Sequence, residues 1–216
     1  MFISHKYKVI FVHIQRTGGN SIHKVFQEFD RDLLVRIKLD PRKKRTRHCF
    51  TSDIKAVIDD HIFRNYTKFC VVRNPFDRMV SWYSIFKYGL GHDRVIMPSK
   101  TLWDEVMIEV NKNANSFEEF IMLPRNHESG LFERFYTNQL DYISDNQSIL
   151  VDRILRFENL TNDFAQFAHE IGFEGKLPCV NKSKHKKDYR TYYTTKTKEI
   201  VFQRFKPDFE YFGYSF

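Results

Sequence analysis

The chain has 216 residues, 42% hydrophobic and 16% aromatic, which sustains a core without cross-links and excludes a disordered chain. Its 35 Lys and Arg against 27 Asp and Glu leave a formal charge of +8, which points to polyanionic partners: nucleotide, nucleic acid, acidic glycan or anionic lipid. Cys49, Cys70 and Cys179 lack zinc or redox spacing, no apolar run approaches the ~20 residues of a membrane span and no secretory leader precedes the first strand, so the sequence reads as one soluble, cytoplasmic domain over 1–216.

Residues 9–14 form an apolar run (Val9, Ile10, Phe11, Val12, Ile14) that leads into Gln15-Arg16-Thr17-Gly18-Gly19-Asn20-Ser21. Ile22, Val25, Phe26 and Phe29 then take the spacing of one helical face. The pattern predicts a buried strand, a tight polar turn and a helix. Such a turn aims the unpaired N–H groups of a helix start at whatever lies above it. Gly18 and Gly19 let backbone approach a ligand closely, Arg16 adds a fixed positive charge, and Thr17, Asn20 and Ser21 add neutral donors. The combination suits an anion, a phosphate foremost.

Residues 33–37 fit a short strand, and a basic run over 42–47 ends at His48. A helix is expected next, capped by Thr51 or Ser52, with Ile54, Val57, Ile58 and Ile62 as its apolar stripe. Phe69, Cys70, Val71 and Val72 read as a second buried strand ending in Arg73-Asn74-Pro75. Asn74 is a good N-cap, and Pro75 fits the first helical position. On the helix that follows, Phe76, Met79, Val80 and Tyr83 face the core, with Asn74, Asp77, Arg78 and Ser81 on the opposite side. Arg73 at the strand end and Ser81 two turns into the helix can grip one phosphate together. The alternative is an Arg73 paired with an acidic side chain and a Ser81 that is ordinary helix surface.

Residues 89–115 are irregular and polar, with a helix around 102–110. Ser116 to Glu119 has capping-box spacing, and Pro124 ends that short helix. Residues 149–157 read as one or two strands, and Leu160, Phe164, Phe167, Ala168 and Ile171 as a helix stopped by Gly172. A basic segment over 181–187 precedes a last helix near 195–205, and an aromatic tail over 209–216 docks on the core. Strands alternating with helices predict an α/β fold with a parallel sheet covered on both faces. Ligands of such sheets sit at the carboxyl ends of the strands, where both turns lie. The first turn is not the G-x-x-x-x-G-K-[ST] loop of ATP and GTP enzymes, because its cation precedes the glycines and the turn is shorter. With no acidic residue standing out at a strand end as a magnesium ligand, it reads as a phosphate cradle working without metal.

FVHIQRTGGNSI and FCVVRNPFDRMVSWY resemble the paired signatures of sulfotransferases that use 3′-phosphoadenosine 5′-phosphosulfate (PAPS). The likeness is greatest to the Golgi-type carbohydrate sulfotransferases and their bacterial relatives, particularly the heparan sulfate 6-O type. It continues through RHCFTSDIK, DRILRFENL and NKSKHKKDYRTYY and weakens over 89–115. The resemblance implies a three-layer, P-loop-like fold with a short central parallel sheet flanked by helices, PAPS as co-substrate without a metal, a carbohydrate or glycan acceptor, and no nucleic acid partner. It places Arg16 where the family usually has lysine. Thr17, Gly18, Gly19, Asn20 and Ser21 line the 5′-phosphosulfate site, Arg73 and Ser81 take the 3′-phosphate, and Ser183 and Lys184 close over the nucleotide. Arginine keeps the neutralising charge of the lysine it replaces but does not readily donate a proton near neutral pH.

An acceptor hydroxyl is a poor nucleophile until its proton is removed, and histidine has the pKa range for that task. His48 lies where the resembling enzymes carry a histidine, between the first helix and the second strand. His13, Glu158 and Asp53 are its rivals as base, with His13 also fitting a packed core position. The run over 42–47 is either a guide for an anionic glycan or a solvated loop, and Trp82, Tyr83, Tyr88 and Trp103 are either a sugar platform or core. Eukaryotic relatives carry a membrane anchor, so the resemblance implies a bacterial or viral enzyme. Two other classes stay open: a P-loop-like small-molecule kinase and a non-catalytic polyanion-binding module.

Overall fold

A computed structural model describes residues 1–35, 37, 47–88, 102–146, 148–177 and 188–216. Residues 42–46 of the basic run, Cys179, Ser183 and Lys184 lie outside the described residues, as do the side chains of Tyr88 and Trp103. Along the chain run β1 (Phe2–Ser4), β2 (Val9–Val12), α1 (Gly19–Phe29), α2 (Thr51–Lys55), α3 (Asp60–Asn65), β3 (Thr67–Val72), α4 (Pro75–Tyr88) and α5 (Leu102–Asn113). There follow α6 (Phe117–Met122), α7 (Gln139–Ile143), β4 (Ser144–Asp145), β5 (Ser148–Ile149), β6 (Arg153–Arg156), α8 (Leu160–Glu170), α9 (Thr195–Arg204) and α10 (Lys206–Phe212). They fall into two compact units, Met1–Arg73 with Gln139–Lys184, and Asn74–Asn138 with His185–Phe216.

The first unit is built on a sheet of order β1-β2-β3-β6. β2, β3 and β6 run parallel, and β1 pairs antiparallel at the edge, with Phe2 opposite Phe11. Phe2, Val9, Phe11, Phe69, Val71 and Leu155 share one face and pack with Ile22, Val25 and Phe26 of α1 and Leu160, Phe164 and Phe167 of α8. Residues of the other parity, Ile3, Ile10, Val12, Cys70 and Val72, are buried too. The strands are therefore continuous apolar runs, as a sheet covered on both faces requires. Gly172, at φ 65°, turns the chain after α8 and brings Phe173 to stack on Phe26 with ring centroids 4.2 Å apart.

Two local expectations change here. The helix predicted over Ile54 to Ile62 is two, α2 and α3, because the Asp59 carboxylate accepts from the N–H of His61 (2.8 Å) and of Ile62 (3.3 Å) and starts a new helix. Where a strand is expected at 33–37, the described residues show an isolated antiparallel bridge between Leu34 and Ile3. β4 and β5 form a separate two-stranded ladder.

The second unit is helical. Phe76, Met79, Trp82, Tyr83 and Phe86 of α4 pack with side chains of α5, α6, α9 and α10. The polar side of α4, opposite its core-facing stripe, is buried as well: Asn74, Asp77 and Arg78 are only 7%, 5% and 2% exposed. Tertiary partners account for part of that burial. The Arg78 guanidinium donates to the Thr137 carbonyl at 3.1 Å. Asn74 caps α4 by accepting from the Phe76 N–H at 3.0 Å, and its amide donates to the Ser215 carbonyl at 2.7 Å. The tail adds a helix, α10, that the sequence reading merges into a docked segment, and the Phe216 ring rests on Phe76, Tyr189 and Tyr193. Trp82 and Tyr83 are core residues. Among the described residues no helix is long and apolar enough to cross a membrane.

Candidate active site

The carboxyl ends of β2 and β3 in the first unit gather most of the predicted site residues. β2 stops at Val12, and the chain turns through Gln15 to Gly18 into α1. The turn needs two left-handed residues, Arg16 at φ 69° and Gly18 at φ 88°. An arginine there is uncommon, and two bonds brace it. The Thr17 hydroxyl donates to the Ile14 carbonyl at 2.9 Å, and the Arg73 guanidinium donates to the Arg16 carbonyl at 3.1 Å.

The glycines serve packing. A Cβ on Gly19 would stand 2.5 Å from Cδ2 and 2.6 Å from Nε2 of His13, and one on Gly18 would stand 3.0 Å from the Phe157 ring. On their Cβ sides both residues meet protein, so backbone conformation and close helix–strand contact are further reasons for glycine here, beside the close approach of a ligand that the sequence suggests. Thr17 is fully buried, with its hydroxyl used inside the turn. Asn20 Oδ1 accepts from Arg47 at 3.0 Å, and Ser21 returns its backbone N–H to the Gly18 carbonyl at 3.1 Å.

The start of α1 is suited to an anion. This 11-residue helix has no acidic residue in its first turn and no side-chain bond at its cap. Its N–H groups and dipole favour an anion, with Arg16 in the turn just before it.

His48 enters from the segment after the basic run. Its Nδ1 lies 2.9 Å from the His13 carbonyl oxygen, and its ring meets the His13 ring edge-on with centroids 4.4 Å apart. A nitrogen facing a carbonyl must carry the proton, so Nε2 holds the lone pair of the neutral ring. His13 itself is 3% exposed, stacks on Phe11, and leaves its Nδ1 without a hydrogen-bond partner among the described residues. Burial holds its pKa well below the usual histidine value, and positive charge at His48, the Met1 amino group, Arg47 and His23 depresses it further. The adjacent Cys49 thiol is pushed up to about 11, chiefly by burial, and stays protonated near neutral pH. Among the other candidates for base, Asp53 accepts from the Phe50 N–H at 3.3 Å, and Glu158 is exposed in the short helix Phe157–Asn159.

Arg73 follows β3 and is 6% exposed. Its guanidinium carbon stands 4.0 Å from the centroid of the Phe157 ring, the same ring that closes over Gly18. Both main-chain polar groups of Arg73 are held by one side chain: its N–H donates to Gln139 Oε1 and its carbonyl accepts from Gln139 Nε2, each at 2.8 Å. The sequence reading misses Gln139 and Phe157 as site residues. Phe157 lies within the RFENL segment that supports the resemblance, whereas Gln139 carries no local signal. Ser81 belongs to the second unit, half-buried on α4.

The described site residues thus put a helix N-terminus and Arg16 at one strand end, with an imidazole of fixed tautomer held at that same end. A family model described as the sulfotransferase family matches residues 1–215. No curated protein and no solved structure matches the chain significantly. With strand, turn, helix and the match over nearly its full length in agreement, this chain belongs to the sulfotransferase family, and its chemistry is the transfer of a sulfuryl group.

Proposed function

We propose that the chain transfers the sulfuryl group of PAPS to a hydroxyl group of a carbohydrate, with His48 as general base. The observation that carries this reading is the start of α1, free of acidic residues and of a side-chain cap, next to Arg16 at the end of β2. The residues there fit the 5′-phosphosulfate end of the donor, because backbone N–H groups, a helix dipole and a guanidinium all favour its oxygens. The donor supplies the sulfuryl group and a phosphate that departs from it. Arg16 and the first N–H groups of α1 meet the charge that grows on that phosphate, and each lost donor there costs about 3 kcal/mol of barrier. Arg73 would hold the 3′-phosphate by its guanidinium charge.

His48 presents Nε2 to the acceptor, takes the hydroxyl proton as the oxygen attacks sulfur, and keeps its own Nδ1–H on the His13 carbonyl throughout. The surplus of basic side chains favours an anionic glycan over a neutral sugar. Incubation with radiolabelled PAPS and a panel of glycans tests the reading. Label on a glycan hydroxyl supports it; label found only on protein or on nitrogen acceptors rejects it.

A further inference from the structure

The ladder of β3 ends with Cys70 opposite Val12 on one side and Val72 opposite Arg156 on the other. Arg73 lies one residue beyond and has no strand partner in either register, yet it is buried. Gln139, at the start of α7 and fully buried, takes the place of a neighbouring strand: its amide accepts from and donates to the two main-chain groups of Arg73. From that fixed backbone the Arg73 side chain reaches the Arg16 carbonyl and lies on the Phe157 ring. We propose that Gln139 is a positioning residue for the anion site, holding Arg73 so that its guanidinium braces the left-handed turn at Arg16. The proposal rests on the reading above for what the turn binds, and on the geometry alone for how the turn is held.

The alternation along the strands explains why this one amide matters. Arg73 continues the face of Phe69 and Val71, and Phe157 continues the face of Leu155, the face on which α1 begins. A shift in the Arg73 backbone therefore displaces both the brace on Arg16 and the stack against Phe157. Methionine at 139 keeps the volume and removes both bonds. Glutamate keeps the acceptor but sets a carboxylate against the Arg73 carbonyl, and regains a donor only when protonated.

Amide hydrogen exchange at Ile14 and Ser21, both hydrogen-bonded in the turn, and the affinity for adenosine 3′,5′-bisphosphate test the proposal. In Gln139→Met, exchange at these amides rises at least tenfold and the affinity falls at least tenfold, while exchange across α8 stays within twofold. In Gln139→Glu, the affinity relative to the unsubstituted protein at the same pH recovers as pH falls. This second variant decides the matter if the first does not fold. Unchanged exchange at Ile14 and Ser21 overturns the proposal, and so does an equal rise in α8, which would make Gln139 a general packing residue. Failure of the unsubstituted protein to bind the bisphosphate would reject the functional reading and leave the exchange measurement to judge Gln139.

Discussion

His48 is tied to the chain just past β2: its Nδ1 is 2.9 Å from the carbonyl oxygen of His13, three residues before Arg16. The acceptor is main chain, so the bond does not depend on the chemistry of the side chain at position 13, whereas a change at position 48 removes the proposed base. His48→Ala lowers kcat by at least 100-fold, with donor affinity changed less than threefold. Steady-state kinetics with a saturating acceptor, together with calorimetric titration of adenosine 3′,5′-bisphosphate, measures both. Retained turnover would take His48 out of the mechanism.

The His13 ring leaves no room for a side chain at Gly19. Gly19→Ala drives a methyl group to 2.5 Å from the His13 ring and 2.9 Å from Phe11. Overpacking of this kind costs about 2 kcal/mol, which lowers Tm by roughly 4–8 °C in a chain of this size. Adding His13→Ala to Gly19→Ala gives the ring's space to the new methyl, so the double variant is more stable than the sum of the single losses predicts. Strict additivity would show that the two residues do not press on each other.

Stability should fall on acidification below pH 6.5. The folded-state pKa of His13 is depressed by burial and by the surrounding positive charge, and that of His23 is depressed by burial and by Arg47. The unfolded chain therefore binds these protons more readily than the folded one. The contribution of each neutral ring is fully present above the unfolded pKa and is lost as pH drops beneath it, at up to about 1.4 kcal/mol per pH unit. The Met1 amino group, pushed down to about 5 chiefly by burial, acts in the same direction between its ordinary value of 8.0 and that point. His13→Phe removes one of these groups, and urea midpoints between pH 7.5 and 5 should then slope less steeply than in the unsubstituted protein. Identical slopes would mean that His13 is not held neutral by the fold.

Arg73 has two tasks in this account, and nucleotide affinity separates them. Arg73→Ala removes the brace on the Arg16 carbonyl, which weakens adenosine 5′-monophosphate and the 3′,5′-bisphosphate alike. It also removes the charge proposed for the 3′-phosphate, which weakens the bisphosphate at least a further tenfold. Competition binding of the two nucleotides reads the ratio, and equal losses would restrict Arg73 to the brace.

The strand–turn–helix around Arg16 is legible in the sequence because both of its signals are local: an unbroken apolar run and a 3.6-residue stripe that starts at Ile22. Asp59 is a local signal too, and reading it as an N-cap would have divided the helix over 54–62. The burial of Asn74, Asp77 and Arg78 is different. It depends on partners such as the Thr137 and Ser215 carbonyls, far along the chain, so periodicity alone does not foresee it. The same holds in the site. Arg16, Gly18 and His48 stand out by residue type and place, but a lone Gln139 means nothing until the fold sets its amide against Arg73.

If the turn at Arg16 and the side chain of Arg73 serve a doubly phosphorylated adenosine, a thermal-shift comparison shows it before any acceptor is known. Adenosine 3′,5′-bisphosphate without metal should raise Tm by several degrees, corresponding to roughly 2.7 kcal/mol at a hundredfold excess over Kd, while ATP with magnesium raises it far less. A larger shift with ATP and magnesium, abolished by chelation, would contradict the account and favour a kinase.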